Sequence, residues 1–293
     1  MPSSKDRIDG PNEMIDLHSH ILPKLDDGSR SVGESIGMCR ISYRDGVRTI
    51  VATPHTLTEP YQNDRVTILS KVRELNGMIG RFGTQNLAFG VKNPKSEKSH
   101  HFQSEICNLK SEISLHPALE ILPGSDVRLC DEILPYVDQG KVATIGDTER
   151  FMIVEFPFYS IPYRAEDILF GLMARGITPV ISHPERNVEI EQRPERYYEM
   201  IRMGCLGQVT AMSLTGGFGS QIRRFAGKLL RRRLIHAIAS DAHGVGGRPP
   251  GLMAAVREAG KIVGRAEAIK LVTEYPRAII QGRRPNVPEP LSL

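Results

Sequence analysis

Two short segments of the chain carry a pair of histidine or aspartate side chains at a spacing of two. His18 and His20 follow the apolar residues of "MIDLHSH", and Asp241 and His243 end "IASDAH". Because side chains alternate along a strand, residues two apart lie on the same face. Imidazole and carboxylate ligands suit Zn, Mn or Fe, and the absence of cysteine argues against a structural zinc site. Each segment alone could equally be a strand that ends in a polar turn.

Further histidines and acids occupy the same kind of position. His55 ends "TIVATPH" and His183 closes the strand of "PVISHPER", so five of the nine histidines directly follow predicted strands. The candidate carboxylates are Asp26, Asp27, Asp126, Glu155 and Asp241. A charge such as that of Glu155 after an apolar strand is costly to bury unless it is paired or bound to a metal. The alternatives are a salt-bridged carboxylate for Glu155 and a turn residue for Asp27.

Alternating helices and strands position these residues. "SVGESIGMCRISYRDG" starts with a capping box from Ser31 to Glu34 and ends at Gly46, and the strand "VRTIVATPH" follows. "AEDILFGLMARG", which ends at Gly176, and "ITPVISHPER" repeat this order, as do "PERYYEMIRMGCLGQVT" and "FAGKLLRRRLIHAIASDAH". Such repeats predict parallel strands joined by right-handed crossovers, with the active surface at the carboxyl ends of the strands.

Composition narrows the class of protein. The chain has 293 residues, four cysteines without a CxxC pair, and a net charge of +4 with a pI near 8.9. Without a signal-peptide pattern or an apolar run of bilayer length, we expect a cytoplasmic protein with reduced thiols. The mildly basic charge, without interleaved aromatic and basic repeats, disfavours a nucleic-acid substrate. "QIRRFAGKLLRRRL" (221–234) predicts an amphipathic helix, whose basic face could alternatively dock an acidic partner or a membrane.

Several segments together resemble one family. They are "DLHSHILPKLDDG", "GVRTIVATPH", "ILPGSDVRL", "FMIVEFPF", "GITPVISHPERN", "IHAIASDAH" and "GRPP". In this order, from about Met14 to Arg284, they are similar to the metal-dependent bacterial protein tyrosine phosphatases of capsule and exopolysaccharide synthesis, in the PHP (polymerase and histidinol phosphatase) superfamily. The resemblance implies an α/β fold, a distorted (β/α)7 barrel over residues 14–284. Residues 1–13 and 285–293 would be tails, and 90–120 an inserted loop region.

The resemblance also implies site residues and cofactors. Carried over residue by residue, it gives as metal ligands His18, His20, Asp27, His55, Asp126, Glu155, His183, Asp241 and His243. These would hold up to three divalent ions, usually manganese. Arg186 and Arg248 would hold the phosphoryl oxygens, because a guanidinium makes bidentate contacts; the alternative for each is a surface residue. Asp126 stands where the family has a bridging glutamate, so the bridge could lengthen or one metal could bind weakly.

The implied chemistry is that of a phosphoric monoester hydrolase. Clustered divalent ions lower the pKa of bound water towards about 7, so a metal-bound hydroxide is the expected nucleophile. The cysteine-dependent route needs an arginine six residues after the cysteine, and none of the four cysteines has one. We expect phosphotyrosine as the substrate, carried on a tyrosine kinase of polysaccharide export. The alternatives are a small phosphomonoester such as histidinol phosphate, and a scaffold that binds metal or a phosphorylated partner with little turnover.

Overall fold

The computed structural model describes residues 13–82 and 119–292. Most of the predicted N-terminal tail and of the predicted insertion therefore lies outside the described residues, as does Cys107. Within them the predicted alternation of helices and strands is confirmed. The strands are β1 (Met14–Ser19), β2 (Val47–Ala52), β3 (His55–Thr56), β4 (Glu120–Pro123), β5 (Asp126–Arg128), β6 (Phe151–Glu155), β7 (Thr178–Ser182), β8 (Leu206–Thr210) and β9 (Ala237–Ala239).

Helices follow most of the strands. They are α1 (Val32–Arg44), α2 (Arg65–Phe82), α3 (Ile133–Asp138), α4 (Ala165–Ala174), α5 (Val188–Gln192), α6 (Pro194–Met203), α7 (Ala211–Thr215), α8 (Ser220–Arg231), α9 (Met253–Val263), α10 (Arg265–Lys270) and α11 (Glu274–Ile280). Ser31 caps α1 as predicted, since its side chain accepts a hydrogen bond from the N–H of Glu34. Gly176 has a φ of 79° and ends α4, because glycine adopts this conformation without steric cost.

The helix predicted at 221–234 is α8, which ends at Arg231. Phe225 and Leu229 are among its buried residues, whereas Arg224 and Lys228 are exposed, so the helix is amphipathic as predicted. The C-terminal segment lies against its end, where the N–H of Leu291 donates to the carbonyl of Arg232 at 2.9 Å. No helix within residues 13–82 and 119–292 combines the length and hydropathy that a bilayer crossing requires.

The strands form two sheets. The first has the order β1-β2-β4 and the second β3-β5-β6-β7-β8-β9, and every pair is parallel. Two residues separate β2 from β3, and two separate β4 from β5. Among the described residues the sheets do not join into one closed sheet, so the α/β class with parallel strands is confirmed, without a closed barrel.

Alternate residues of the strands form an apolar interior. This inner cluster contains Ile15, Leu17, Val51, Ile145, Phe151, Ile153, Val180, Leu206, Ala237, Ala239 and Ile279. The intervening residues, such as Met152 and Val154 of β6, belong to a second cluster with buried helix residues. Strands buried on both faces are typical of parallel sheets covered by helices. Most polar side chains that act together therefore lie at the strand ends.

Candidate metal centre

The nine predicted ligand residues lie together at one edge of the sheets, where β1, β6, β7 and β9 end and where β3 and β5 begin. The chain positions them from seven places: the end of β1, the loop after it, the starts of β3 and β5, the end of β6, and the residues after β7 and β9. Three groups among them could each hold a metal ion, because their ligand atoms lie within 4.8 Å of one another. His20, Asp27, His55 and His243 form the first group. Nε2 of His55 and Nε2 of His243 lie 3.6 and 3.5 Å from Oδ1 of Asp27.

The other two groups share an aspartate. His18, His20 and Asp126 form the second group, and His55, Asp126 and Glu155 form the third. Oδ2 of Asp126 lies 3.7 Å from Nε2 of His18 and 3.3 Å from Nδ1 of His55. Asp126 therefore reaches both neighbours even though its side chain is one methylene shorter than that of glutamate.

His183 and Asp241 complete the cluster. Nε2 of His183 lies 3.5 Å from Oε1 of Glu155, and Oδ1 of Asp241 lies 3.5 Å from Nε2 of both His18 and His20. Both residues have left-handed backbone, with φ of 32° for His183 and 51° for Asp241. Such strained conformations in residues other than glycine are concentrated at functional sites.

The imidazoles are oriented by bonds on their far side. The Nδ1–H of His18 donates to Oε1 of Gln208 at 2.9 Å, and that of His20 donates to Oδ2 of Asp26 at 2.7 Å. The Nδ1–H of His243 donates to the backbone carbonyl of Asp241 at 2.9 Å. In all three rings Nε2 is therefore left to face the site, which is the arrangement found around metal-bound histidines.

Several buried atoms of the cluster have no hydrogen-bond partner. Both carboxylate oxygens of Asp126 and Nδ1 of His55 are buried and unpaired among the residues that the structure describes. Nε2 of His18 and Nε2 of His20 lie 3.2 Å apart, within hydrogen-bond distance of each other. Buried polar atoms without partners are costly, and a shared cation would satisfy all of them. The donor set consists of nitrogen and carboxylate oxygen, so the residues fit divalent transition ions.

Two of the ligand residues, His18 and Asp241, have protonation states that suit metal binding. Burial lowers the pKa of His18 to about 4, so this imidazole is neutral at physiological pH. Burial opposes ionisation of Asp241, but the neighbouring His18, His20 and Arg248 hold the pKa of its carboxyl well below the usual range. Metals bind neutral imidazoles and ionised carboxylates, and these two residues are in those states. Burial opposes protonation of His20, but Asp26 and Asp241 raise its pKa well above the usual range, so a bound metal would displace a proton there.

Asp26 lies behind His20 and does not face the site directly. Its carboxylate accepts hydrogen bonds from the N–H of Gly28 at 2.9 Å and of His55 at 3.0 Å, besides that from His20. It is buried, whereas the side chain of Asp27 is 51% exposed and faces His55 and His243. Gly28 is needed for this loop, because a Cβ there would lie 2.2 Å from the carbonyl oxygen of His20.

Sequence reasoning missed Gln208, which orients His18. The sequence feature that could have indicated Gln208 is a long polar side chain within the apolar strand "LGQVT", which is buried along its whole length. Asp16 gave a similar signal in β1, and its carboxylate accepts a hydrogen bond from the N–H of Ser240 at 2.9 Å. A polar residue within a buried strand therefore indicates a bond to a neighbouring strand or site.

The two predicted arginines converge on Asp241. Nη1 of Arg186 donates to Oδ2 of Asp241 at 2.6 Å, and Nη2 of Arg248 donates to the same oxygen. The turn that carries Arg186 is fixed by the buried Glu185, which accepts hydrogen bonds from Ser213 at 2.6 Å and from the N–H of Thr210. Two guanidinium groups thus lie at the edge of the cluster of histidines and acids.

Aromatic rings flank the cluster. The guanidinium carbon of Arg186 lies 5.0 Å from the ring centre of Phe158 and 4.8 Å from that of Phe218. Phe158 also stacks on His183, with ring centres 6.4 Å apart. Tyr61 stacks on His55 at 6.0 Å. None of these three aromatic residues was predicted as part of the site.

The described cysteines are unsuited to nucleophilic attack. Cys39, Cys130 and Cys205 are free thiols. Burial raises the pKa of Cys39 and Cys205 to about 12 and that of Cys130 to about 11. A nucleophilic cysteine needs a lowered pKa, because the thiolate is the reactive form.

Comparison with known proteins places this site in a family. The family model for capsular polysaccharide synthesis proteins CpsB/CapC matches residues 14–90 and 89–281. The tyrosine-protein phosphatase YwqE of Bacillus subtilis is 34% identical over 232 residues, which cover 79% of this chain and 78% of YwqE. The tyrosine-protein phosphatase CpsB of Streptococcus pneumoniae is 30% identical over 272 residues, 91% of this chain and 98% of CpsB.

Solved structures agree with these matches. A chain from the crystal structures of YwqE from Bacillus subtilis and CpsB from Streptococcus pneumoniae, described as metal-dependent tyrosine phosphatases, has a TM-score of 0.80 and 30% identity, covering 96% of this chain and 99% of that one. The phosphotriesterase homology protein of Escherichia coli covers 93% of this chain at 12% identity, with a TM-score of 0.54, which shows a similar fold alone. The chain belongs to the CpsB/CapC family of capsular polysaccharide synthesis proteins.

Proposed function

We propose that this chain is a metal-dependent protein tyrosine phosphatase, a phosphoric monoester hydrolase that does not use cysteine. The observation that carries the proposal is the set of three overlapping imidazole and carboxylate groups beside two arginines. It is supported by relatives at 30 to 34% identity that are named tyrosine-protein phosphatases. A member of the same family with the same site chemistry is expected to act on the same class of bond.

The proposed metal ligands are the nine residues predicted from the sequence. They are His18, His20, Asp27, His55, Asp126, Glu155, His183, Asp241 and His243. When bound, up to three divalent ions, with manganese proposed, would supply water activation near neutral pH and neutralise charge on the phosphoryl oxygens. Asp26 and Gln208 position the ring planes of His20 and His18 for that role.

Arg186 and Arg248 bind the phosphoryl group. Both guanidinium groups contact one oxygen of Asp241, which fixes them on one side of the cluster. Phe158 and Phe218 pack against Arg186 and orient its plane. A planar guanidinium offers several parallel N–H donors, so a phosphoryl oxygen pair can be bound while one donor stays on Asp241.

A distorted (β/α)7 barrel over residues 14–284 is the architecture that we propose for the whole domain. If β2 with β3 and β4 with β5 each count as one position, the strands occupy seven positions. Closure is supported where the N–H of His20 donates to the carbonyl of Ala242 at 2.9 Å and the N–H of Asp241 donates to that of His18 at 2.8 Å. Residues 1–13, 90–120 and 285–293 would lie outside this barrel.

The proposed partner is a phosphotyrosine-bearing protein of polysaccharide synthesis, with the tail of a cytoplasmic tyrosine kinase as the specific proposal. This follows the family, whose model describes capsular polysaccharide synthesis. A small phosphomonoester such as histidinol phosphate, and a binding scaffold with little turnover, are the competing functions.

Hydrolysis assays test the function. Metal-stripped protein is given Mn²⁺, Zn²⁺, Mg²⁺ or no metal, with a phosphotyrosine peptide, p-nitrophenyl phosphate or histidinol phosphate as substrate. We expect metal-dependent turnover that favours the phosphotyrosine peptide, is lost in His243→Ala and is retained in His236→Asn, a matched change at a buried histidine outside the cluster. Tight metal binding without turnover of any substrate would contradict the proposal and favour the scaffold.

A further inference from the structure

Phe158 is a large apolar side chain left half exposed beside the site. It follows β6 and is 51% exposed. Its ring lies nearly parallel to that of His183, with 14° between the planes, and the guanidinium carbon of Arg186 lies 5.0 Å from its centre. The ring thus contacts the candidate centre through His183 and Arg186, and about half of its surface remains accessible to a ligand of Arg186.

Tyr61 is the alternative aromatic contact, but it lies on the acidic side. It stacks on His55, whose Nε2 lies 3.6 Å from Oδ1 of Asp27. A dianionic phosphoryl group is attracted to the guanidinium groups, of which that of Arg186 lies over the Phe158 ring. Phe158 is therefore the aromatic residue beside the phosphate-binding side of the cluster.

We propose that Phe158 determines specificity for aryl over alkyl phosphates by packing against the aromatic ring of the substrate. This inference rests on the proposed function, since it assumes that Arg186 holds the phosphoryl group. In a phosphotyrosine a single oxygen joins the ring to phosphorus. The ring of a substrate whose phosphoryl group is held by Arg186 can therefore reach Phe158 at the 4.5–7 Å that favours stacking of aromatic pairs.

The other aromatic residues near the site, Tyr159, Tyr163 and Phe218, do not explain a preference for aryl phosphates. Tyr159 and Tyr163 are 81% and 95% exposed, and neither stacks on a ring or a cation of the described cluster. Phe218 contacts the guanidinium groups of both Arg186 and Arg248, so it positions the phosphate ligands. Phe158 combines the contact to Arg186 with a half-exposed ring.

Binding of two phosphonates tests the proposal without requiring turnover. Benzylphosphonate and methylphosphonate share the anionic group and differ by the ring. Their affinities are measured by calorimetry on manganese-loaded protein for the wild type, Phe158→Leu, Phe158→Tyr and Phe170→Leu. Phe170 is a matched control, because it is 63% exposed on α4. Thermal melting of each variant checks that it is folded.

We expect Phe158→Leu to weaken benzylphosphonate binding by about three- to tenfold and to leave methylphosphonate unchanged. Phe158→Tyr should keep the preference, and Phe170→Leu should match the wild type. Equal weakening of both ligands would mean that Phe158 acts only through Arg186, and unchanged affinity for both would mean that it contacts no ring; either result overturns the proposal.

The failure of this inference is distinguishable from failure of the proposed function. Hydrolysis of a phosphotyrosine peptide is measured on the same wild-type preparation. Absence of turnover contradicts the phosphatase assignment, whereas the ratio of the two phosphonate affinities still decides the role of Phe158.

Discussion

The same strands carry two contrasting regions. Their inner faces contribute the apolar cluster of isoleucine, valine, leucine and alanine, in which side chains such as Ile153 and Val180 are fully buried. Two residues further along, the same face of β6 bears Glu155, and Gln208 likewise follows Leu206 in β8. A step of two residues along one face of a strand therefore separates the apolar interior from the cluster of acids and histidines.

The contrast separates stability from chemistry. The apolar cluster stabilises the fold by removing hydrocarbon from water, at about 25 cal/mol for each Å². At the candidate metal centre, buried oxygens such as those of Asp126 lack partners, and two residues adopt left-handed backbone. These features cost free energy without ligands, and they are tolerated because the apolar region below them is well packed.

The largest expected effect is a difference in stability between one substitution in the apolar cluster and one at the candidate metal centre. Leu206→Ala should lower the free energy of unfolding by about 3 kcal/mol, because a fully buried leucine leaves a cavity. Asp126→Asn in metal-free protein should change it by less than this, since relief of the buried charge offsets loss of the ion pairs with His18 and His55. Urea denaturation measures both. If Asp126→Asn is as destabilising as Leu206→Ala, the contrast between the regions is wrong.

Activity should reverse this ranking. Leu206→Ala is expected to keep metal-dependent turnover below its melting temperature, whereas Asp126→Asn should lose most of it. The same two preparations therefore serve as each other's controls.

The next largest expected effect is a pH dependence of folding stability, caused by a buried histidine outside the candidate centre. His236 precedes β9, and its Nδ1 accepts a hydrogen bond from the N–H of Gly207 at 3.0 Å. Burial lowers its pKa from 6.5 to about 4. As the pH falls from 6.5 to 4, the unfolded chain takes up a proton that the folded chain does not, so stability is lost over this range, by roughly 3 kcal/mol in total.

The variant His236→Asn isolates this contribution, since its side-chain oxygen can still accept the bond from Gly207 but does not titrate. We expect the stability of the wild type relative to His236→Asn to fall between pH 6.5 and 4, measured by denaturation at each pH. A difference that stays constant would show that His236 is protonated in the folded protein.

The smallest effect concerns the boundary between the two regions, where Asp26 orients His20. Asp26→Asn should weaken manganese binding by about 10- to 100-fold, because substitution of the carboxylate behind a metal-bound imidazole has this effect in other metalloproteins. Titration of metal-stripped protein measures it, with Asp131→Asn as control, whose side chain is 71% exposed. Unchanged affinity for manganese would show that Asp26 does not position His20 for metal binding.

The sequence predicted the strand ends well because its signals there are local. The HxH spacing of His18 and His20 follows directly from strand alternation, and a charged residue such as Glu155 after an apolar run marks a strand end. The glycines that end helices, such as Gly176, could be predicted from the sequence in the same way. These features depend on neighbours within a few residues, so a single sequence contains them.

Features that depend on distant contacts could not be predicted. Asp26 and Asp27 are adjacent and chemically identical, so residue type does not decide which one faces the site; the family resemblance indicated Asp27, which lies against His55 and His243. Gln208 contacts His18 across 190 positions of sequence. Phe158 carries no signal in the sequence, because its significance comes from Arg186 and His183, which follow the distant strand β7.

The three groups of candidate ligands share members: His20, His55 and Asp126 each belong to two groups. If they bind ions as proposed, the ions are not independent, because one ion fixes the rotamer and deprotonated state of a side chain that the next ion needs. The binding free energies are then linked, and this coupling is reciprocal. Occupancy would respond to metal concentration as one system, and a change at Asp126 would alter the affinity of two positions at once.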